Sequence, residues 1–160
     1  MERRLNVSWD DPLAAFEEGK RLAPLEYLRA IRDGRLPAPP IARLLDFRLT
    51  VADPGLAVFE ITPGEQHYNP IGVVHGGVAF TLLDSAMSCA VQSLLPTGGL
   101  STTLEIKANL VRAITLATGP LRATGRIVHL GSRTGTAEGR LEDATGKLYA
   151  HATTTCLILS

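Results

Sequence analysis

The apolar run from Val78 to Leu95 constrains this chain more than any other stretch. Val78, Ala79, Phe80, Leu82, Leu83, Ala86, Met87, Ala90, Val91, Leu94 and Leu95 cover most of a helix circumference. The spacing therefore predicts a helix over 78–95 that is buried on nearly every side, and the remainder of the chain has to wrap it. Its polar residues fall in one narrow stripe: Thr81, Asp84, Ser85, Ser88 and Gln92 recur at spacings of three and four. A carboxylate within such a helix is costly unless it is paired, hydrated or used. With the hydroxyl of Ser88 four residues on, the stripe is a candidate site.

What wraps the helix reads as β-structure. Phe47–Ala52, a turn at Asp53-Pro54-Gly55 and Leu56–Ile61 form a first hairpin pattern. After Pro96-Thr97-Gly98-Gly99 come strand-like stretches at Ser101–Leu110, Leu116–Leu130, Thr134–Glu142 and Lys147–Leu159. One long helix among long strands with short turns implies α+β with an antiparallel sheet. In the last three stretches one face carries Ala123 and Gly125, Ala137 and Gly139, and Ala150 and Ala152. The other carries Arg122, Thr124, Arg126, Glu138, Arg140, Tyr149 and His151. A smooth face of small residues lets a bulky helix approach closely, and strand glycines permit strong curvature.

Residues 1–44 differ from the rest. Trp9–Gly19 suits a short helix capped by Asp10 or Asp11 with Pro12 in its first turn, and Pro24–Gly34 a second with Leu25, Leu28 and Ile31 on one face. Pro37, Pro39 and Pro40 then enforce an extended link before a short third helix at Pro40–Leu45. The expected division is a helical extension over 1–44 and a main domain over 45–160. The extension packs on the domain or covers a site opening, or else is a loosely attached leader.

Just before the central helix, Asn69 and His75 precede Gly76-Gly77. A helix start exposes backbone N–H groups able to hold an oxyanion. Taken alone, the glycines equally suit a tight turn, and Asp84 a solvated position. Asn69, His75-Gly76-Gly77, Leu83-Asp84 and Gly146-Lys147-Leu148-Tyr149-Ala150 before a Thr-rich strand together resemble the signature of hotdog-fold thioesterases of the phenylacetate-pathway (PaaI-like) type. The likeness runs from about Leu45 to Ser160. It implies a hotdog fold, in which a curved antiparallel sheet wraps a long central helix, and hydrolysis of an acyl-CoA substrate without a metal or redox cofactor. By position it also implies Asp84 as nucleophile or general base and the Gly76 N–H as oxyanion donor. Asn69 and Ser88 would orient water or substrate, with His75 in support and Gly77, Arg112, Ser132 and Arg133 at the substrate. Arg112 stands where the family has Arg-Pro, with Ala113 replacing the proline.

Gly76 and Asp84 are eight positions apart (84 − 76), about 12 Å along a helix at ~1.5 Å per residue. One helix cannot easily present both to one carbonyl, whereas two helices related by a two-fold axis can. A homodimer or dimer of dimers with shared sites is expected. Two alternatives keep the fold: a dehydratase using His67, although its acid should lie about a turn earlier where Thr81 stands, or a non-catalytic acyl-CoA-binding domain. Were Asp84 not the acid, Glu65 would be the next choice.

Composition excludes other classes. The 16 basic and 16 acidic residues cancel, and residues 1–48 carry no basic excess worth the name, 9 against 8, so nothing points to nucleic acid or an anionic membrane. His67, His75, His129 and His151 lack metal-ligand spacing, and there is no phosphate loop, dinucleotide fingerprint or serine-nucleophile elbow. Cys89 and Cys156 read as buried thiols of a reducing compartment. Met1-Glu-Arg-Arg-Leu leads into no apolar signal segment. The cytoplasm is the expected location.

Overall fold

The computed structural model describes residues 2–159; Met1 and Ser160, the outermost residues of the two expected segments, lie outside them. Three short helices come first. In α1 (Pro12–Gly19) the Asp11 carboxylate accepts from the N–H groups of Leu13 and Ala14, at 2.9 and 3.4 Å, supplying partners for helix-start donors that have none within the helix. Helices α2 (Pro24–Arg32) and α3 (Pro40–Leu44) each begin on proline, whose missing N–H costs nothing there. Gly34, at φ 72°, turns the chain away after α2.

Strands β1 (Phe47–Asp53) and β2 (Leu56–Ile61) form the first hairpin, and helix α4 (Gly76–Gln92) follows. Then come β3 (Leu100–Leu110), β4 (Leu121–Leu130), β5 (Thr134–Asp143) and β6 (Leu148–Leu159). The six strands make one open antiparallel sheet in the order β1-β2-β4-β5-β6-β3, curved around α4. This is the hotdog arrangement. The stretch expected as one strand over Leu116–Leu130 is instead broken: a 3-10 turn spans Leu116–Thr118, Gly119 takes φ 73°, and Pro120 has no N–H for a sheet ladder.

The small-residue face carries the architecture. Ala123, Gly125, Ala137, Gly139, Ala150 and Ala152 are all buried, and against them lie Leu82, Leu83, Met87 and Val91 of α4, none more than 1% exposed. Burying each such side chain contributes about 1.5–3 kcal/mol. At Gly125 a Cβ would stand 2.2 Å from the Ala86 carbonyl oxygen, so strand and helix backbones meet there with no room for a methyl. The polar outer face holds except at Tyr149, which is buried: its hydroxyl donates to Asp143 Oδ2 at 3.2 Å and the Lys147 ammonium lies 5.8 Å from its ring centre.

Leu28 and Ala42, from the N-terminal helices, belong to the same apolar core as Phe47 and Leu49. The two sheet edges differ. Along β1, Arg29 of α2 donates to the Ala52 carbonyl at 3.2 Å, so a helix covers that edge. Along β3, which among the described residues pairs only with β6, Leu100, Leu104 and Leu110 are exposed. No helix among the described residues is long and apolar enough to cross a membrane.

Candidate active site

The start of α4 is built around His75. Its Nδ1 accepts from the Gly77 N–H at 2.9 Å, and its carbonyl accepts from Val78 N–H at 3.0 Å. The cap leaves the Gly76 N–H with no acceptor among the described residues, at the positive end of a 17-residue helix. Gly76, Asn69, Ala79, Leu110 and Arg112 line one cleft of about 310 Å³. Leu110 closes over the glycine, since a Cβ on Gly76 would lie 2.5 Å from its Cδ1.

Asn69 shapes the loop leading into this cleft. Its Oδ1 accepts from the N–H groups of Ile71 and Val73, at 3.1 and 3.2 Å. The amide Nδ2 hydrogens then have no partner among the described residues. Arg112 is exposed at the rim, with Nη1 donating to the Leu148 carbonyl at 2.5 Å.

Asp84 is half-buried two helical turns further on, outside this cleft. Its Oδ1 accepts from the Thr103 hydroxyl of β3 at 2.7 Å. Sequence reasoning missed Thr103: the contact spans 19 residues and depends on a bulge between Thr103 and Glu105. Ser88, expected beside Asp84, donates instead to the Ser85 carbonyl at 3.4 Å and lines a second cleft. Gln92, at the end of the stripe, is held by the Gly99 carbonyl and the Ser101 hydroxyl, both at 2.8 Å. Burial pushes the Cys89 thiol up to about 12, with the charge of Asp84 adding to it, so a Cys89 thiolate is disfavoured.

Ser132 and Arg133 are exposed in the turn between β4 and β5. The Arg133 carbonyl accepts from Ile158 N–H at 2.9 Å, and Ile158 pairs with Ser101, which puts this turn by the start of β3. Arg112 stands by Tyr149, after the end of β3. One chain therefore separates the two arginines along the length of β3, just as it separates Gly76 from Asp84 along α4.

His67 is turned inward. It is 3% exposed, its Nδ1 accepts from Gly64 N–H at 3.0 Å, and burial lowers its pKa. It lines neither cleft just described. Glu65 is tied to Arg3 in an exposed ion pair. Among the described residues no group of His, Cys, Asp or Glu side chains could hold a metal ion.

Residues 71–150 match the model of the thioesterase superfamily. The chain belongs to that family and is a thioester-hydrolysing enzyme. Among curated proteins it is similar to the 1,4-dihydroxy-2-naphthoyl-CoA hydrolase of Listeria monocytogenes, at 28% identity over 65% of this chain and 83% of that protein. Among solved structures it resembles a phenylacetic acid degradation-related protein of Ralstonia eutropha, with a TM-score of 0.73 and 28% identity over 82% of this chain and 98% of the other. The PaaI protein of the E. coli phenylacetic acid degradation operon shares the fold, with a TM-score of 0.73 and 23% identity over 87% of this chain and 96% of the other.

Proposed function

We propose that the protein hydrolyses an acyl-CoA thioester to the free acid and CoA, at sites shared between two subunits. The thioester carbonyl oxygen accepts from the Gly76 N–H of one subunit, where the helix end stabilises the developing oxyanion. Asp84 of the other subunit takes a proton from water as the water oxygen bonds to the carbonyl carbon, or itself bonds to that carbon to give a mixed anhydride that water then opens. The C–S bond breaks as the tetrahedral intermediate collapses, and the CoA sulfur leaves with a proton. Asn69 offers its unpartnered amide hydrogens to water or carbonyl, and His75 holds the helix start so that the Gly76 N–H stays free.

The observation that carries this reading is the placing of Gly76 and Asp84. Both lie on one continuous helix, eight residues apart, and only the first lines the 310 Å³ cleft. What supports a second subunit is the uncovered β3 edge with its exposed leucines, since an open apolar edge is a template for another chain. Two-fold pairing along that edge sets two α4 helices side by side. It also turns the Arg133 end of one chain toward the Arg112 end of the other, where both cations meet CoA phosphates. Against the dehydratase alternative, His67 is buried with its Nδ1 held by the Gly64 N–H and lines neither cleft. The test is release of free CoA from acyl-CoA followed with a thiol reagent. Turnover by the wild type and its loss in Asp84→Asn are expected; equal turnover in both would reject the role of Asp84.

A further inference from the structure

A second cleft, of about 500 Å³, lies beneath the N-terminal helices. Its roof comes from Phe16, Leu22 and Tyr27, and its floor from Ser88 and Cys89 of α4, with Leu100 at the start of β3. We propose that this cleft is the acyl chamber of the enzyme, built for an apolar acyl group well beyond acetyl, and that Leu22 and Tyr27 set how long a group it takes. The inference rests on the thioester-hydrolysis reading above and adds the substrate class.

Place, lining and construction support it. The floor begins one helical turn beyond Asp84, on the same face, so a thioester carbon at Asp84 has its acyl chain leading into the cleft. Cys89 follows Asp84 by five positions on the same helix, and the charge of Asp84 helps to raise the Cys89 thiol. The lining is mostly apolar, and two of its polar members, Gln92 and Lys20, are engaged. Gln92 is held by Gly99 and Ser101, and Lys20 at the rim is paired with Glu17 at 2.5 Å. Arg21, also in the lining, is exposed and has no ion-pair partner among the described residues, so the free cation stands at the solvent side of the cleft. The volume lies in the range, roughly 300–1,000 Å³, of pockets that enclose whole small molecules, far more than an acetyl group fills.

The roof is a fitted one. Gly19, at the end of α1, is buried, and a Cβ there would lie 2.1 Å from Tyr27 Cε2. The absence of a side chain at Gly19 lets the Cδ2–Cε2 edge of the tyrosine ring come up against the end of α1. The hydroxyl of Tyr27 has no hydrogen-bond partner among the described residues, and burial raises its pKa.

The test compares kcat/KM for acetyl-, decanoyl- and hexadecanoyl-CoA in the wild type, in Leu22→Trp, which fills the cleft, and in Tyr27→Ala, which opens it. Each variant is first shown to be folded by circular dichroism. The wild type should favour decanoyl over acetyl. Leu22→Trp should cut the decanoyl-to-acetyl ratio by about tenfold or more, the range a misfitted apolar pocket produces. Tyr27→Ala should raise hexadecanoyl relative to decanoyl. Decanoate, titrated calorimetrically, should bind the wild type and not Leu22→Trp. If no thioester is hydrolysed yet decanoate binds in this pattern, the cleft stands and the reaction assignment fails. Ratios unchanged within about twofold in both folded variants, or decanoate bound equally by Leu22→Trp, would overturn the chamber. So would variants that alter only the oligomeric state, since the cleft would then hold a second copy of the chain.

Discussion

The two halves of α4 are built for opposite purposes. The first half opens on two glycines, is capped by a histidine ring and faces a cleft with a free N–H and an arginine at its rim. The second carries the carboxylate, braces it with a hydroxyl from β3, and floors a cleft lined mostly by apolar groups. In the proposed mechanism the first stabilises a negative oxygen, and the second supplies a base and receives an acyl chain. On the shared-site proposal neither half is a hydrolase site alone, and one continuous helix keeps Gly76 and Asp84 eight residues apart. If the proposed shared site holds, the difference teaches that a rigid element can specify a two-subunit site by holding complementary groups at a distance no substrate carbonyl can bridge.

The largest effect should come from breaking the second half. Asp84→Asn keeps the shape and removes the charge, so kcat should fall by about 10²–10⁴-fold. Acyl-CoA binding, measured by calorimetry, should stay close to wild type. Unchanged turnover would move the carboxylate elsewhere, although Glu65 is already paired with Arg3.

Displacing the helix should damage both halves together. Gly125→Ala places a methyl 2.2 Å from the Ala86 carbonyl oxygen, and neither backbone can yield cheaply. A loss of about 3 kcal/mol in unfolding free energy is expected, read from denaturant melts. A variant as stable as wild type would contradict the close strand–helix approach.

A finer probe separates the carboxylate from its brace. Thr103→Val removes the hydroxyl bonded to Asp84 and should lower kcat about tenfold, ~1.4 kcal/mol, with little change in KM. Thr103→Ser should restore it. Equal losses in both variants would make Thr103 a packing residue instead.

The smallest effect lies outside both halves and serves as a control. Asp143 is held down at about 2, first by the Thr145 hydroxyl and then by the N–H groups of Lys147 and Thr145. A depressed folded-state value contributes stability above the unfolded value, about 3.9 for Asp, and loses it as pH falls toward 2. The Tm gap between wild type and Asp143→Ala should therefore be full near neutral pH and close below the unfolded value, with kcat unaffected. A gap independent of pH would show that the carboxylate charge is not what the turn uses.

Much of this was legible in the sequence because it is periodic or local. The apolar circumference of 78–95 and the paired small residues at 123/125, 137/139 and 150/152 dictate a helix lying on a sheet, and that is the fold. Gly76, Asn69 and Asp84 stood out through the family motif, with the fit of Gly76 and Asn69 to one cleft visible only in three dimensions. What could not be read depends on register. Thr103 reaches Asp84 from a strand with a bulge beside it, and no local rule places that bulge. Ser88 sits at the i,i+4 position from Asp84, yet its hydroxyl bonds back to a helix carbonyl, as hydroxyls in helices do where the outside is apolar. The Gly19–Tyr27 contact joins two helices across a loop, and only their packing reveals it.

The shared site is tested most directly by mixing two inactive proteins. One carries Asp84→Ala and the other Gly76→Pro, which removes the N–H donor at a helix position that tolerates proline. In a mixed dimer, the intact Gly76 of the first subunit faces the intact Asp84 of the second, so one site is whole and the other doubly damaged. With random exchange half the dimers are mixed, and activity should return to about a quarter of wild type by the two-fold symmetry. No return of activity, in a mixture shown by mass spectrometry to contain mixed dimers, would contradict the account, because every site would then lie within one chain.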